Sequence, residues 1–278
     1  MTKQIYPCLW LDGKAKAAAQ FYCSAFSGSK ITTESTLAVL IEISGKKIML
    51  LNGGPEFRIN PSISLFVQCN SIKETDETWK HLSNGGKILM ELNEYPWSKR
   101  YGWVQDKFGM TWQIMLNDAK GASGSIVPSL LFTSDKFGKA EEAMKSYCSL
   151  FENSAINGIT LYPKGDANEG KVMFAEFSLN NYPLIAMDGP GEHAYSFNEG
   201  VSFVVNCDSQ NEIDHFWNEL TKGGEENRCG WLKDKFGVSW QIIPSILGKL
   251  MSDPEKAPGV INAFMKMKKF EIEKLLQV

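Results

Sequence analysis

Hydrophobic positions change their spacing along this chain in a fixed order, and the order recurs. Ile5 to Leu11 is a short apolar run of the kind that makes a buried strand. Lys14 to Phe26 switches to helical spacing, placing Ala15, Ala18, Ala19, Tyr22 and Phe26 on one face. Three strand patterns follow, near Lys30 to Ser35, Leu37 to Ile43 and Lys46 to Leu51. They are divided by Ser44-Gly45 and closed by Asn52-Gly53-Gly54-Pro55. The same order then begins again: a strand over Ile63 to Cys69, a helix over Ile72 to Ser83, and strands near Lys87 to Leu92, Tyr101 to Gln105 and Thr111 to Leu116. The helix stops at Asn84-Gly85-Gly86, where glycine takes a left-handed conformation at little cost.

Each β-α-β-β-β run is one module, and the pair of modules is itself repeated. Gly-Trp-x-x-Asp-Lys-Phe-Gly-x-x-Trp-Gln-Ile spans Gly102 to Ile114 and again Gly230 to Ile242. Ser64, Cys69, Trp79 and Gly85 are echoed by Ser202, Cys207, Trp217 and Gly223, and Tyr22-Cys23-Ser24 by Tyr147-Cys148-Ser149. A period of this length fits a small domain and is too long for a solenoid repeat. The expected organisation is domain A over 1–118, a linker over 119–126, domain B over 127–245 and a helical tail over 246–278. Repeat B lacks ten residues between Gly223-Gly224 and Gly230, so the hairpin that carries Tyr95, Trp97 and Arg100 in repeat A is cut short there. In the tail, Val260, Ile261, Phe264, Met265 and Met267 are the apolar positions after Asp253-Pro254, and they predict packing across the domains.

Composition narrows the class. The chain has 278 residues, 43% hydrophobic content and a net charge of -3, as expected of a globular protein with two modest cores. Basic residues are scattered among acids, and Lys266 to Lys269 reads as a solvated helix face, so no nucleic-acid partner is expected. No apolar run suits a signal peptide or a membrane span, which predicts a cytoplasmic location without a membrane partner. The six cysteines are widely spaced. Cys23 with Cys148 and Cys69 with Cys207 are repeat-equivalent and read as small buried hydrophobes, whereas Cys8 and Cys229 have no cysteine counterpart and are the places for a reactive thiol.

Four such modules in two pairs, with Asp-x-Phe-Gly-x-x-Trp-Gln ending each pair, resemble the vicinal oxygen chelate superfamily of glyoxalases, bleomycin-resistance proteins and extradiol dioxygenases. The match is to its PhnB-like group, labelled "3-demethylubiquinone-9 3-methyltransferase" domain. Repeat B carries the resemblance most fully, in Phe197-Asn198-Glu199-Gly200-Val201-Ser202-Phe203, Cys229-Gly230-Trp231-Leu232-Lys233-Asp234-Lys235-Phe236-Gly237 and Trp240-Gln241. The resemblance implies an α+β fold of tandem glyoxalase/bleomycin-resistance-like domains, each of two βαβββ modules with a curved mixed sheet around a cleft. It also implies an intrachain pseudo-dimer of the two repeats, with further homodimerisation left open.

Metal-using members of the superfamily take one ligand from each of four strands, usually His from the first and fifth and Glu from the fourth and eighth. Such a cation needs inward carboxylates and imidazoles. Here Ile5 to Leu11, Val127 to Thr133 and Lys46 to Leu51 offer no His, Asp or Glu, and the counterpart of the last offers only Asp188. Gln113 and Gln241 stand where the resemblance places the last ligand Glu, and a neutral amide replaces carboxylate poorly. The three histidines, His81, His193 and His215, lie elsewhere. No metal and no other cofactor is therefore expected.

The candidate cleft residues are Gln113 and Gln241, which share a strand face opposite Trp112 and Trp240 and can donate and accept hydrogen bonds. Glu42 and Glu176 look like a matched pair in apolar strands, either solvent-facing or cleft-facing. Trp103 and Trp231 follow glycine at the hairpin start and could wall a cleft or pack under a helix. Asp106-Lys107-Phe108-Gly109 and Asp234-Lys235-Phe236-Gly237 read as tight turns, as do Asn52 and Asp188 before glycine. Neither Asn52-Gly53-Gly54-Pro55 nor Asp188-Gly189-Pro190-Gly191 can open the helix that a typical S-adenosylmethionine site uses, so methyl transfer is not expected. The expected function is metal-free binding of a small molecule in sheet-lined clefts, one per repeat or shared. The alternative is a metal-dependent glyoxalase- or dioxygenase-type enzyme with a reduced site near Asp188 or Glu176, so whether the chain is an enzyme stays open.

Overall fold

The computed structural model describes residues 5–117 and 125–277, so most of the expected linker over 119–126 lies outside the described residues. The first module comprises β1 (Ile5–Leu11), α1 (Ala15–Ala25), β2 (Lys30–Glu34), β3 (Ala38–Ile43) and β4 (Lys46–Asn52). The second comprises β5 (Ile63–Cys69), α2 (Ile72–Leu82), β6 (Lys87–Tyr95), β7 (Ser98–Gln105) and β8 (Thr111–Leu116). Repeat B supplies β9 (Ser125–Phe132), α3 (Ala140–Leu150), β10 (Ala155–Leu161), β11 (Val172–Leu179) and β12 (Tyr182–Asp188). Its last module is β13 (Val201–Cys207), α4 (Gln210–Leu220), β14 (Glu225–Glu226), β15 (Trp231–Lys233) and β16 (Ser239–Pro244). Ser125 and Ile126, expected in the linker, belong to β9.

The sheets do not follow the repeats. One eight-stranded sheet runs β14-β15-β16-β13-β1-β4-β3-β2 and the other β10-β11-β12-β9-β5-β8-β7-β6. The outer modules of the chain thus share one sheet, the inner modules the other. The joints are antiparallel, Cys8 opposite Ser202 and Ser64 opposite Ser129. Within each sheet β1 pairs β4, β13 pairs β16, β5 pairs β8 and β12 pairs β9 in parallel, so both sheets are mixed.

What holds each repeat together is the layer of helices. Strand residues alternate, and one set (Leu65, Val67, Trp112 and Ile114 in the second module) faces the helices in a single buried cluster that extends through both repeats. Tyr22 of α1, whose helix packs on β3 and β4, meets Trp112 of the other sheet at 5.1 Å between ring centres. Tyr147 of α3 meets Trp240 at 5.3 Å in the same way.

The spacing shared by the two copies of the doubled motif has a structural reason inside each copy. Asp106 Oδ1 accepts the N–H of Phe108 at 2.7 Å and of Met110 at 3.1 Å, while Oδ2 accepts the Trp112 indole N–H at 2.8 Å. Asp234 repeats this with Phe236, Val238 and Trp240. Gly109 and Gly237 take φ of 94° and 89°, which a side chain would resist. The motif therefore ties a turn to the tryptophan that plugs the core.

Two helices borrow their caps. α1 and α3 have no capping side chain of their own. Instead Asn52 Oδ1 accepts the N–H of Ala15 at 2.9 Å, and Asp188 Oδ1 accepts those of Gly138 at 2.8 Å and Ala140 at 3.2 Å. Asn52 and Asp188, read as turn residues from sequence, act across the module because parallel pairing brings the end of the last strand beside the helix start.

The tail forms α5 (Leu247–Met251), α6 (Ala257–Phe264) and α7 (Ile272–Leu276). Val260, Phe264 and Met267 are buried as expected, but Ile261 and Met265 are exposed. The tail is hydrogen-bonded to repeat B, through Cys229 N–H to Met267 O, Gly230 N–H to Lys268 O, and Gln210 Nε2 to Phe270 O. Phe270 lies where a side chain at Gly230 would go, so the tail backs the strand left short by the missing hairpin. Among the described residues no helix is long and apolar enough to cross a membrane.

Candidate functional site

The faces opposite the helices carry the sequence candidates. On the inner-module sheet Gln113 lies directly across from Trp103, and on the outer-module sheet Gln241 lies across from Trp231, so each pair shares a face. Gln113 is buried and fully engaged: its Oε1 accepts the Tyr101 hydroxyl at 2.8 Å, and its Nε2 donates to Ser64 Oγ at 2.6 Å. Ser129 Oγ stands 3.5 Å from the same nitrogen. Gln241 is also buried, with Nε2 donating to Ser202 Oγ at 2.9 Å. Position for position along the first strand of each repeat, Cys8 of β1 stands where β9 has Ser129.

The two faces differ in what surrounds these amides. On the outer-module sheet Tyr6, Cys8 and Val204 form a small buried cluster with Leu40, Met49, Leu51 and Ile243 against it. Burial pushes the Cys8 thiol up to about 12, with Gln241 and Ser202 pulling weakly the other way. That thiol is inert at neutral pH, which removes Cys8 as a nucleophile. Cys23 and Cys148, expected to be buried, are only partly so.

The inner-module sheet is aromatic. Phe66, Tyr101, Val127 and Ile185 are buried, with Met90, Tyr95, Trp103, Met115, Phe174 and Met187 packed around them. Trp97, 58% exposed, stacks on Tyr95 at 5.1 Å and 18°, and meets Tyr101 edge-on at 5.6 Å. Tyr95 and Trp97 belong to the β6–β7 hairpin, whose counterpart in the other sheet has strands of two and three residues. The Trp103 indole N–H is buried with no hydrogen-bond partner. Burial, then the neighbouring Tyr95, raises the Tyr101 hydroxyl well above its usual range, so it remains a donor to Gln113.

The two glutamates are not the matched pair that the sequence suggested. Glu176 lies opposite Ile185, and the residue so placed in the first module, opposite Met49, is Leu40. Glu42 lies opposite Lys47, two residues further along, and pairs with Lys30 at 3.3 Å. Local hydrophobic context looked alike at both glutamates, but the hairpin turns set a register two residues apart. Glu176 is exposed on the aromatic face, in a row with Ile185, Ser129 and Ser64. Three strand spacings separate it from Ser64, about 14 Å at ~4.8 Å each.

A metal reading near Asp188 meets the hydrogen bonds already made. Both its oxygens are taken, Oδ2 by the N–H of Val172 at 2.9 Å and Oδ1 by the two helix-start amides. Among the described residues no group of three or more His, Cys, Asp or Glu could hold a metal ion. The Ser64–Gln113–Tyr101 network and its surrounding methionines and aromatics escaped sequence reasoning, because they converge from strands far apart in the chain. The signal available was the even spacing of Tyr101 and Trp103 before Gln113.

Comparison with known proteins agrees with this architecture. A family model described as 3-demethylubiquinone-9 3-methyltransferase matches residues 3–115 and again 124–243. Protein YjdN of Escherichia coli (strain K12) is 28% identical over 89 residues, 32% of this chain and 60% of YjdN. The chain thus spans less than two thirds of that relative. A PhnB protein from Bacillus cereus is 32% identical over 40% of this chain and 98% of its own, with a TM-score of 0.39. Glyoxalase I from Zea mays aligns over 86% of this chain and 92% of its own, at 12% identity and a TM-score of 0.52, a likeness of fold. Both sheets here are mixed, unlike the doubly wound parallel sheet of a typical S-adenosylmethionine site.

Proposed function

The chain belongs to the 3-demethylubiquinone-9 3-methyltransferase family, in two tandem copies, and from that premise we propose that it binds a small aromatic molecule without a metal. The binding face is that of the inner-module sheet. The observation that carries this reading is the aromatic wall of Tyr95, Trp97 and Tyr101 beside a buried Trp103 N–H that lacks an acceptor. A flat ring stacks on Trp97 and Tyr95, and a carbonyl or phenolate oxygen on that ring accepts from Trp103. Met90, Met115 and Met187 supply side chains that repack around a guest, since unbranched thioethers adapt at low cost. Gln113, held by Tyr101 and Ser64, gives the floor a fixed polar point. The outer-module sheet, with its shortened hairpin and buried thiol, serves as scaffold.

Native mass spectrometry of the purified chain, with tryptophan-fluorescence titration by benzamide, 4-nitrophenol and naphthol, tests the reading. A co-purifying aromatic molecule, or saturable quenching weakened about tenfold by Trp97→Ala and by Trp103→Phe, is expected. Absence of both, or binding unchanged in the two variants, overturns it.

A further inference from the structure

The helix-covered side of repeat B holds a cavity of ≈260 Å³ between α3, α4 and the turn that starts at Asp234. At the equivalent place in repeat A the space is taken by Phe21, which stands where repeat B has Ser146. The Phe21 ring lies 4.5 Å from that of His81 and 5.6 Å from that of Phe108, and the Lys107 ammonium caps it at 4.4 Å. Exchanging the benzyl for a hydroxymethyl side chain leaves a hole lined partly by polar groups. His81 is exchanged too, for Glu219, so the contact that closes repeat A is lost on both sides.

The groups around this hole sort into those already spent and those free to exchange. Asp234 at its floor is spent: its two oxygens take four donors, from Phe236, Val238, Trp240 and the Tyr147 hydroxyl. The ammonium groups of Lys222 and Lys235 are paired with exposed acids, Glu219 at 2.6 Å and Glu142 at 2.9 Å, and that of Lys235 also lies 4.8 Å over the Phe236 ring. Exposed pairs of this kind contribute little and give way readily to another carboxylate. Ser146 adds a hydroxyl donor at the rim, and Leu150, Leu220 and Phe236 give an apolar surface beneath. Cations and a hydroxyl above a short apolar floor suit a ligand with an anionic end and a few carbons. The volume falls below the ~300–1,000 Å³ of sites for drug-sized molecules, which limits the guest to a small metabolite.

We infer that repeat B carries a second binding site, separate from the aromatic face, for a small carboxylate whose anionic end takes Lys222 and Lys235 from Glu219 and Glu142. The site is tested by amide-resolved NMR of the full chain titrated with succinate, lactate and glutamate, with chloride at matched ionic strength as control. Saturable shifts are expected at Ser146, Tyr147 and Lys235 with at least one carboxylate, and none at Phe21, Tyr22 and Lys107. Ser146→Phe, which restores the ring that repeat A tolerates, should weaken binding by about tenfold or more, and Lys235→Gln by a similar factor. No saturable shift with any of the three, shifts reproduced by chloride, or shifts that survive both substitutions would overturn the inference.

Discussion

The Tyr147 hydroxyl donates to Asp234 at 2.6 Å, whereas the Tyr22 hydroxyl, equally buried beside the equivalent Asp106, makes only a looser contact with that carboxylate. Burial first, and the neighbouring aspartate second, raise both tyrosines far above their usual range, so each keeps its proton. The pair matters because α3 lies on one sheet and Asp234 in a turn of the other. Tyr147 thus bolts the two sheets together within repeat B, and in repeat A the looser Tyr22–Asp106 contact leaves more of the same junction to ring packing.

Removing the two hydroxyls should therefore have unequal effects. Tyr147→Phe leaves a carboxylate oxygen with one donor fewer and should cost about 1–3 kcal/mol, while Tyr22→Phe loses only the looser contact with Asp106 and should cost less. Urea unfolding of both variants checks this, and equal losses would show that the hydroxyl of Tyr147 does not hold the junction.

The two glutamines should also separate. Gln113→Leu strands the Ser64 and Tyr101 hydroxyls, whereas Gln241→Leu affects chiefly Ser202. The first should cost about 2–3 kcal/mol and the second nearer ~1 kcal/mol, by the number of buried groups left without partners. Chemical denaturation with matched m-values is the measurement.

Asp188 distinguishes a capping role from a metal role. Asp188→Ala frees three backbone N–H groups and should destabilise the chain by about 2 kcal/mol. Elemental analysis of the purified protein should find no stoichiometric divalent cation in either form, and treatment with a chelator should leave the melting temperature unchanged. A cation present in the parent and lost from the variant would reinstate the metal-dependent alternative.

Alkaline pH should weaken the fold through its buried thiols. Burial pushes Cys8 up to about 12 and Cys69 up to about 11, from an ordinary thiol value of 9.0. A group raised on folding contributes stability that is whole below its unfolded value and is lost as pH rises toward its folded one. The loss from these two should therefore fall between about pH 9 and pH 12. Cys8→Ser, which installs the residue found at Ser129, should flatten the decline of the urea midpoint over that window. A variant as steep as the parent would exclude Cys8 as a contributor.

Much of this fold could be read before any coordinates. Four βαβββ modules, the duplicated halves, the shortened hairpin of repeat B and the Asp-x-Phe-Gly turns follow from period and local turn chemistry, which depend on residues close in the chain. The core role of Trp112 and Trp240 was legible for the same reason, since each faces opposite to a glutamine at the next position.

The pairing of modules was not legible. β1 and β9 read alike, as do β5 and β13, so period-two alternation tells which face is buried and says nothing of which strand lies alongside. Folding places β1 against β13 and β5 against β9. That choice joins each half of one repeat to a half of the other, surrounds Gln113 with hydroxyls from both repeats, and separates Glu176 from Glu42. Hydrophobic order along the chain specified the pieces, because burial of an alternating face is a local demand. Nonlocal backbone pairing and side-chain register specified the site, because those energies exist only when strands far apart in the chain, such as β5 and β9, meet.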